Sequence, residues 1–521
     1  MQTYSTPYKK RNNMFFSLIF STAVLLSSIE CGKFRFANHY ADHMVLQRAP
    51  YRAVLWGFGE NNTFVSISIT YQKQIEVLHT EVKLDSRGLY TWKVILPPYD
   101  AGGPYDIEAL SVVENQAVSI TLRDVLFGDV WLCGGQSNMV FTVGMANSGK
   151  EEIDMAEQYP NIRLFTVKRY FSNVTVPELS RENILQQWSV ASNASVGGAA
   201  WQYFSAICWM YGRRLYDLYK IPIGLISSNY GGTRVEAWSS PQTLAVCGIS
   251  KNDQNALSEL YNAMIYPLMN TTIYGAIWYQ GEHNCIKPNI HNYNCTFPAM
   301  ISGWRKEWYS ATHGNTNQLF PFGFVQLASL GSDADRPGFP IIRWKQTAEY
   351  GYVPNPKQPK VFMAVALDLP DNSSPFGSIH PRDKTDVADR LILGAREIAY
   401  NEKTYWTGPI ADKIIVPKIY SESVNVSVTY KMSSLQPMGI EVRNKTGFQV
   451  ALDHSETWQD AVIISYEIDR LILSVNSIST SEITGIRYLW SLDPCLLKKC
   501  AVYAYGTDLP SPPFVKYAPF E

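Results

Sequence analysis

Short, unbroken apolar runs recur through the middle of the chain, and they constrain its fold more than any other feature of the sequence. Longer stretches with a helical pattern separate them. The runs occupy 124–132, 223–227, 274–279, 322–327 and 361–367. Strands that are apolar on both faces are typical of a parallel sheet that helices cover on both sides. The sequence therefore predicts an α/β protein with a three-layer core.

The regions on either side of this core have a different pattern. Stretches such as 63–69 and 89–94 alternate apolar and polar residues, which indicates antiparallel strands. After residue 400 strand-like stretches return among turn residues, at 427–430 and 461–466. At 521 residues the chain is also too long for one ordinary domain. We predict a signal peptide, a β-rich N-terminal domain, the parallel-sheet domain and a β-rich C-terminal region, at 1–30, 31–122, 123–405 and 406–521.

The first residues have the three-part pattern of a secretory signal peptide. A basic start at 9–11 precedes the uncharged run 14–26 and the small residues at 27–28. This run is shorter than the ~20 residues that span a membrane, so we expect cleavage rather than a membrane anchor. Eight Asn-x-Ser/Thr sequons also favour the secretory pathway and N-glycosylation, at Asn61, Asn173, Asn193, Asn270, Asn294, Asn372, Asn425 and Asn444. The protein is expected to be secreted or lysosomal.

The cysteines and the charge narrow the class of protein further. Eight cysteines agree with an oxidising compartment, and the close pairs Cys285/Cys295 and Cys495/Cys500 could each close a short disulfide loop. Simple burial would also explain Cys133. The cysteines and the scattered histidines lack metal-binding spacing, so we predict no metal site. A net charge of −1 without a long basic run argues against a nucleic-acid partner.

Four polar loops each follow a predicted strand and carry a residue type that ester hydrolysis uses. The first places Ser137 after two glycines and a glutamine, and the second contains the adjacent Gly231 and Gly232. The third contains Asn284, and the fourth contains His380. Because the carboxyl ends of parallel strands lie along one edge of a sheet, we expect these residues to converge there.

These residue types match the needs of a serine esterase. A serine hydroxyl attacks an ester when a base removes its proton, and the tetrahedral intermediate needs donors aimed at its oxygen. Each residue alone also has a structural explanation, because glycines are common in turns, Asn284 could cap a helix and a single histidine is more often structural. Met139 also breaks the Gly-x-Ser-x-Gly nucleophile elbow. The joint order of the four loops favours a catalytic site.

Five motifs around these loops resemble the sialate O-acetylesterases, a family within the SGNH hydrolase superfamily. They are Asp42-His43-Met44-Val45-Leu46-Gln47-Arg48, Gly134-Gly135-Gln136-Ser137-Asn138-Met139, Gly231-Gly232-Thr233, Trp278-Tyr279-Gln280-Gly281-Glu282 and Ile379-His380-Pro381-Arg382-Asp383-Lys384. The resemblance spans most of the mature chain. It implies that 123–405 is an SGNH hydrolase domain with a flavodoxin-like, three-layer fold, and that no cofactor is required.

The resemblance also implies roles for individual residues. Ser137 would be the nucleophile and His380 its general base. The oxyanion hole would combine the backbone N–H groups of Ser137 and Gly232 with the side chain of Asn284. The substrate would be an O-acetylated sialic acid or sialoglycan, hydrolysed through an acetyl-enzyme. The glutamines at 136 and 280, Gln136 and Gln280, are candidates for contacts with that substrate.

The group that orients the histidine departs from the pattern of the superfamily. Many SGNH hydrolases have an aspartate three residues before the histidine, where this chain has Gly377. Asp368, at the end of the preceding strand, is the first candidate for the third catalytic residue, and Asp371 is another. A backbone carbonyl would also hold the correct tautomer. Both aspartates are explained equally well as turn or cap residues.

Recognition of a sialic acid carboxylate would suit a planar guanidinium group. Arg234 and Arg382 lie beside two of the four loops and are the candidates. Each could instead pair with a nearby acid, such as Glu236 or Asp383.

Two other functions fit the same sequence. The site could deacetylate a neutral glycan such as acetylated xylan, since aromatic residues do not choose between sugars. The chain could also be a secreted glycan-binding protein in which the central domain only supports the β-rich regions. A binding protein has no need for Ser137, Asn284 and His380 together, which favours the enzyme.

Overall fold

A computed structural model describes most of the chain beyond residue 33. It covers residues 34–250, 257–286, 290–331, 336–417, 423–431, 433, 439–453, 457–476 and 482–521. The predicted signal peptide at 1–30 lies outside the described residues. Within those ranges, no helix is both long enough and apolar enough to cross a membrane.

The N-terminal region consists of short strands, as its alternating sequence predicts. In one of them Val65, Ile67 and Ile69 are buried, and the residues between them are partly exposed. The strands are β1 (Arg35–Phe36), β2 (Val45–Gln47), β3 (Val54–Phe58), β4 (Phe64–Tyr71), β5 (Gln74–Glu81), β6 (Lys83–Leu84), β7 (Tyr90–Ile95) and β8 (Gly102–Val113). β1, β3, β7 and β6 form a small antiparallel sheet, and β4 pairs with both β5 and β8.

One long strand, β9 (Gln116–Gly135), joins this region to the central sheet. Its first half pairs antiparallel with β8, where polar residues alternate with apolar ones. Its second half is buried without interruption and pairs in parallel with strands on both sides. The boundary expected between residues 122 and 123 therefore lies inside a single strand, because the change of pattern marks a change of neighbours and not a linker.

The central sheet is parallel around β9, as the unbroken apolar runs predict. Its other strands are β10 (Ile162–Val167), β11 (Ile184–Val190), β12 (Ile223–Asn229), β13 (Gly275–Tyr279), β14 (Phe322–Gln326) and β15 (Val361–Val365). The strands β12, β9, β13, β14 and β15 are neighbours in that order. β10 adds in parallel outside β12, and β11 pairs with it antiparallel at the edge.

Helices pack on both faces of this sheet. They are α1 (Ser137–Val140), α2 (Gly149–Asp154), α3 (Asn193–Val196), α4 (Ala206–Tyr219), α5 (Pro241–Val246), α6 (Tyr293–Ala311), α7 (Phe339–Gln346) and α8 (Thr385–Ile398). Trp131 of β9 contacts Tyr211 of α4 at a ring-centroid distance of 5.0 Å. Trp278 of β13 points to the other face, since it pairs with Gly134 rather than with Trp131, and it contacts Trp304 of α6 at 5.6 Å.

The C-terminal region forms an antiparallel sheet of its own. Its strands are β16 (Ala411–Ile415), β17 (Ser423–Tyr430), β18 (Ile440–Val442), β19 (Phe448–Leu452), β20 (Trp458–Tyr466), β21 (Arg470–Asn476), β22 (Ile483–Tyr488), β23 (Val502–Ala504) and β24 (Phe514–Tyr517). Seven of them lie in the order β16-β17-β21-β20-β19-β22-β24. Buried Arg343 of α7 donates to the carbonyl oxygens of Ser491 and Leu492, which fixes this region against the central one.

The disulfides differ in part from the sequence-based expectation. The Cys495–Cys500 pair is confirmed. The Cys285/Cys295 pair is wrong, because Cys295 bonds to Cys247, which precedes it by 48 residues, and Cys285 is a buried free thiol. Cys133 is also bonded, to Cys208 of α4. Sequence proximity favoured the wrong partner, because the fold brings more distant cysteines together.

Candidate active site

Ser137 lies at the carboxyl end of β9, where the strand turns directly into α1. Gly135 makes this turn possible, because its φ of +141° suits glycine and an added Cβ would lie 2.2 Å from the carbonyl oxygen of Tyr279. The same carbonyl accepts from the backbone N–H of Gln136 at 2.9 Å. The Gln136 side chain is buried, and its Oε1 accepts from His283 N at 3.2 Å. Ser137 itself is only half-buried, which leaves its hydroxyl within reach of a ligand.

His380 meets Ser137 across 243 residues of sequence. The Nε2 atom of His380 lies 2.8 Å from Ser137 Oγ, and its Nδ1 atom lies 2.7 Å from the carbonyl oxygen of Phe376. A carbonyl oxygen only accepts, so Nδ1 carries the proton and Nε2 is free to accept one from the serine. Burial lowers the pKa of His380, although the bond to Phe376 opposes the shift. The imidazole is therefore a neutral base at pH 7.

Asp368 does not orient this histidine, contrary to the first expectation from sequence. It is fully buried, and its two carboxylate oxygens accept from the guanidinium of Arg390 at 2.5 and 2.9 Å. Tyr503 Oη donates to Asp368 Oδ2 at 3.0 Å. The carboxylate thus neutralises a buried arginine, and the carbonyl of Phe376 takes the orienting position.

The two-glycine loop passes directly beside the nucleophile. A Cβ added to Gly231 would lie 3.5 Å from the Cβ of Ser137, and Gly232 has a φ of +69°. Asn284 is fully buried below this loop. Its Oδ1 accepts from Val235 N at 3.0 Å, and its Nδ2 donates to a carboxylate oxygen of Glu236 at 2.9 Å. Asn284 therefore braces the loop, and its amide keeps a second N–H.

Gln280 is a candidate for a substrate contact, but its polar atoms are hydrogen-bonded inside the protein. It is fully buried. Its Nε2 donates to the carbonyl of Thr233 at 3.1 Å and to Asn284 Oδ1 at 2.6 Å, while its Oε1 accepts from Tyr293 Oη at 3.0 Å. Its place next to a site glycine suggested a ligand contact, but the side chain turns into the core.

The two candidate arginines differ in their surroundings. Arg382 donates from Nε and Nη2 to both carboxylate oxygens of Asp371, at 2.7 and 2.8 Å, and not to Asp383. This ion pair engages the fork that a substrate carboxylate would need. Arg234 is half-buried, and its charge acts on the pKa of Glu236 and of His283.

A buried polar cluster lies behind the Ser137–His380 pair, called the dyad below, and the sequence did not predict it. Asn138 Nδ2 donates to Glu282 Oε1 at 2.5 Å and to the carbonyl of Ile379 at 2.9 Å, and Asn138 Oδ1 accepts from Lys384 Nζ at 2.7 Å. Burial lowers the pKa of Lys384 to about 7 and raises that of Glu282. Asn138, which follows Ser137, is thereby bonded to Ile379, which precedes His380. These residues all lie inside the motifs that resemble the sialate O-acetylesterases, and this was the signal in the sequence that could have identified the cluster.

Trp201 is a second residue that the sequence did not indicate. Its ring packs edge-on against the His380 imidazole, with centroids 5.1 Å apart and planes at 73°. It also contacts Phe376, whose carbonyl orients His380, at 6.0 Å. The tryptophan lies in the segment between α3 and α4, far in sequence from the other site residues.

The chain is similar to known proteins over most of its length. A carbohydrate esterase, sialic acid-specific acetylesterase family model matches residues 127–376, and a sialate O-acetylesterase C-terminal domain model matches residues 417–518. The human sialate O-acetylesterase is 41% identical over 93% of this chain and 92% of its own length. The chain belongs to the sialate O-acetylesterase family. The rat sialate O-acetylesterase is 39% identical, over 92% of this chain and 94% of its own length.

A solved structure extends the family resemblance to three dimensions. The chain is similar to a carbohydrate acetylesterase from Xanthomonas citri, with a TM-score of 0.74 and 27% identity over 92% of this chain and 99% of that one. The match supports a mixed α/β esterase with a β-rich C-terminal region.

Proposed function

We propose that this chain hydrolyses O-acetyl esters of sialic acids through an acetyl-enzyme formed on Ser137. The observation that best supports this proposal is the series of hydrogen bonds from Ser137 Oγ through the His380 ring to the carbonyl of Phe376. In this chain the base is neutral, correctly protonated and already in contact with the nucleophile. A serine in a merely structural turn would not need such a partner.

The reaction follows from this geometry in two halves. Ser137 Oγ attacks the acetyl carbonyl carbon while its proton moves to His380 Nε2, and the resulting oxyanion is stabilised by N–H groups. The C–O bond to the sugar then breaks, and His380 gives the proton to the departing sugar oxygen. A water molecule, deprotonated by His380, then attacks the acetyl carbon, the bond between that carbon and Ser137 Oγ breaks, and His380 returns the proton to Ser137 Oγ as acetate leaves.

The proposed oxyanion hole keeps the three donors expected from sequence. They are the backbone N–H groups of Ser137 and Gly232 and the second N–H of Asn284 Nδ2. The proximity of Gly231 to the Ser137 Cβ supports the loop contribution. The backbone donors suit the task because they need no reorganisation when charge develops.

Sialic acid is the substrate favoured by the family models and the mammalian relatives, whose names specify it. The likeness to the Xanthomonas citri carbohydrate acetylesterase keeps an acetylated neutral glycan as a second candidate. Acetate release from O-acetylated sialic acid and from acetylated xylan, measured side by side, separates the two. The intact dyad argues against a purely glycan-binding protein.

Replacement of the nucleophile tests the proposal. Ser137→Ala should reduce acetate release by at least ~10⁴-fold, because no other group can form the acetyl-enzyme. Ser302→Ala, on the exposed surface of α6, is the matched control and should match the unsubstituted enzyme. Unchanged release by Ser137→Ala would refute the esterase mechanism.

The architecture and destination form part of the same proposal. We infer a three-layer SGNH hydrolase unit at 123–405 between β-rich regions at 31–122 and 406–521, after a signal peptide at 1–30. The order β12-β9-β13-β14-β15 supports this arrangement, because it is the 2-1-3-4-5 order of flavodoxin-like sheets when the outer strands β10 and β11 are left out of the numbering. Three disulfides among the described residues and exposed sequon asparagines, such as Asn173 and Asn444, support N-glycosylation in the secretory pathway. A mobility shift after endoglycosidase treatment of the secreted protein would test it.

A further inference from the structure

A cavity of about 870 Å³ lies beside the dyad, at the carboxyl end of β10. Hydroxyl and amide groups line it, among them those of Thr166, Ser192 and Gln202, and so do the cations Lys168 and Arg169. No aspartate or glutamate is found in its wall among the residues that the structure describes. A cavity with many hydrogen-bonding groups and only positive charge fits a ligand that is both polyhydroxylated and anionic.

Arg169 is unusual among the arginines near the site. Its Nη2 donates to the carbonyl oxygen of Trp201 at 2.5 Å, and the guanidinium is half-buried. In the described part of the chain no carboxylate forms an ion pair with it, whereas Arg382 is occupied by Asp371. The bond to Trp201 fixes the plane of the guanidinium and leaves most of its N–H donors unused.

The cavity connects physically to the catalytic residues. Trp201 forms part of its wall, and the other side of this contact is the His380 ring, 5.1 Å away. Arg169 also lies near Tyr230, in the loop of Gly231. β10 is separated from β9 by one strand, so the end of β10 lies about 10 Å from the end of β9 across the sheet.

We propose that this cavity binds the acidic sugar of the substrate, with Arg169 holding its carboxylate while the acetyl ester lies at Ser137. The proposal rests on the proposed function and refines it. It assigns to Arg169 the role that the sequence gave to Arg234 and Arg382. A guanidinium that already has one fixed bond can offer a carboxylate two parallel N–H donors with little further ordering. Lys168 adds a second, more exposed positive charge.

The preference for an acidic sugar over a neutral one follows from charge. Filling this cavity with an uncharged xylose unit would desolvate Arg169 without giving it an anion. A carboxylate replaces the lost water with charge-assisted hydrogen bonds, which are stronger than neutral ones. The chain should therefore favour acetylated acidic sugars over acetylated xylan.

Arg169→Gln tests the assignment with two substrates. For an O-acetylated sialic acid, kcat/KM should fall roughly 10- to 100-fold, mainly through KM, because a charged hydrogen bond is lost. For a small aryl acetate, which has no carboxylate, kcat/KM should stay within about twofold. Arg169→Lys should recover part of the loss, and Arg123→Gln on the exposed part of β9 is the matched control.

The methyl ester of the same sialic acid isolates the carboxylate. The unsubstituted enzyme should have a lower kcat/KM on the methyl ester than on the free acid. Arg169→Gln should have the same kcat/KM on both, since it already lacks the contact with the carboxylate. Equal losses on the sugar and the aryl acetate would show that Arg169 only supports Trp201 and His380, and would overturn the assignment. Full activity of Arg169→Gln on the acidic sugar would also overturn it. Failure of the unsubstituted enzyme on any acetylated sialic acid would instead refute the proposed function.

Discussion

Two aspartates in the loop between β15 and α8 have similar chemistry and different surroundings. Asp368 is buried under the C-terminal region, where it pairs with Arg390 and accepts from Tyr503. Asp371 lies on the partly exposed rim of the site and pairs with Arg382. Both were candidates to orient His380, and neither contacts it.

The difference explains why a backbone carbonyl, and not a carboxylate, contacts Nδ1 of His380, the proposed base. An arginine buried without a counter-charge is costly, so Arg390 requires Asp368 for stability. On the rim, the hydrogen bonds from Arg382 hold the pKa of Asp371 at about 2, which keeps that carboxylate ionised and engaged. In the described part of the chain the Phe376 carbonyl accepts from no other group, and its contact with Nδ1 suffices to fix the tautomer of His380.

The largest effect is expected at the buried aspartate. Asp368→Asn should lower the free energy of unfolding by about 3–5 kcal/mol, because Arg390 stays buried without its counter-charge. Thermal or urea unfolding measures this loss. The fraction that remains folded should keep its kcat/KM on an aryl acetate.

Tyr503→Phe is the matched control for this variant. It removes only the hydroxyl that donates to Asp368 and should cost about 1 kcal/mol. A stable Asp368→Asn protein whose activity had collapsed would break the comparison, since it would restore Asp368 to the catalytic machinery.

The pH dependence of activity gives an intermediate effect. In the proposed mechanism His380 is a neutral base, and burial places its pKa below the ordinary ~6.5. The kcat/KM for an uncharged aryl acetate should rise about tenfold per pH unit at low pH and level off before pH 7.

The position of that rise sharpens the comparison. An ionised carboxylate next to His380 would raise its pKa, so a midpoint above 6.5 would reveal a contact that the structure does not contain. The midpoint should stay where it is in Asp371→Asn, because Asp371 contacts Arg382 and not the imidazole.

The smallest effect is expected at the rim. Asp371→Asn breaks a partly exposed ion pair, and such pairs contribute 0–1 kcal/mol. The free energy of unfolding should change by no more than about 1 kcal/mol, and kcat/KM on an aryl acetate should change by less than about threefold. Arg382→Gln removes the other half of the pair and should give the same small change. A tenfold loss in either variant would mean that the rim pair shapes the site.

Much of the fold followed from the pattern of the sequence. Unbroken apolar runs predicted the parallel strands, and alternation predicted the flanking β regions, because each pattern reports which faces of a strand are buried. The N-terminal boundary did not follow, since β9 continues through it and exchanges one set of neighbours for another. The disulfide partner of Cys295 was also missed, because pairing depends on distance in space.

The sequence by itself determined which loops carry Ser137 and His380, because loops after parallel strands must meet at one edge of the sheet. Only the tertiary structure decided how the polar groups around them are shared. Gln280 bonds to Tyr293 in the core, and Asp368 accepts from Arg390. The carbonyl of Phe376 contacts Nδ1 of His380. Hydrogen-bond partners are settled by angstrom-scale distances between chain segments that are far apart in sequence, and residue type and spacing do not encode those distances.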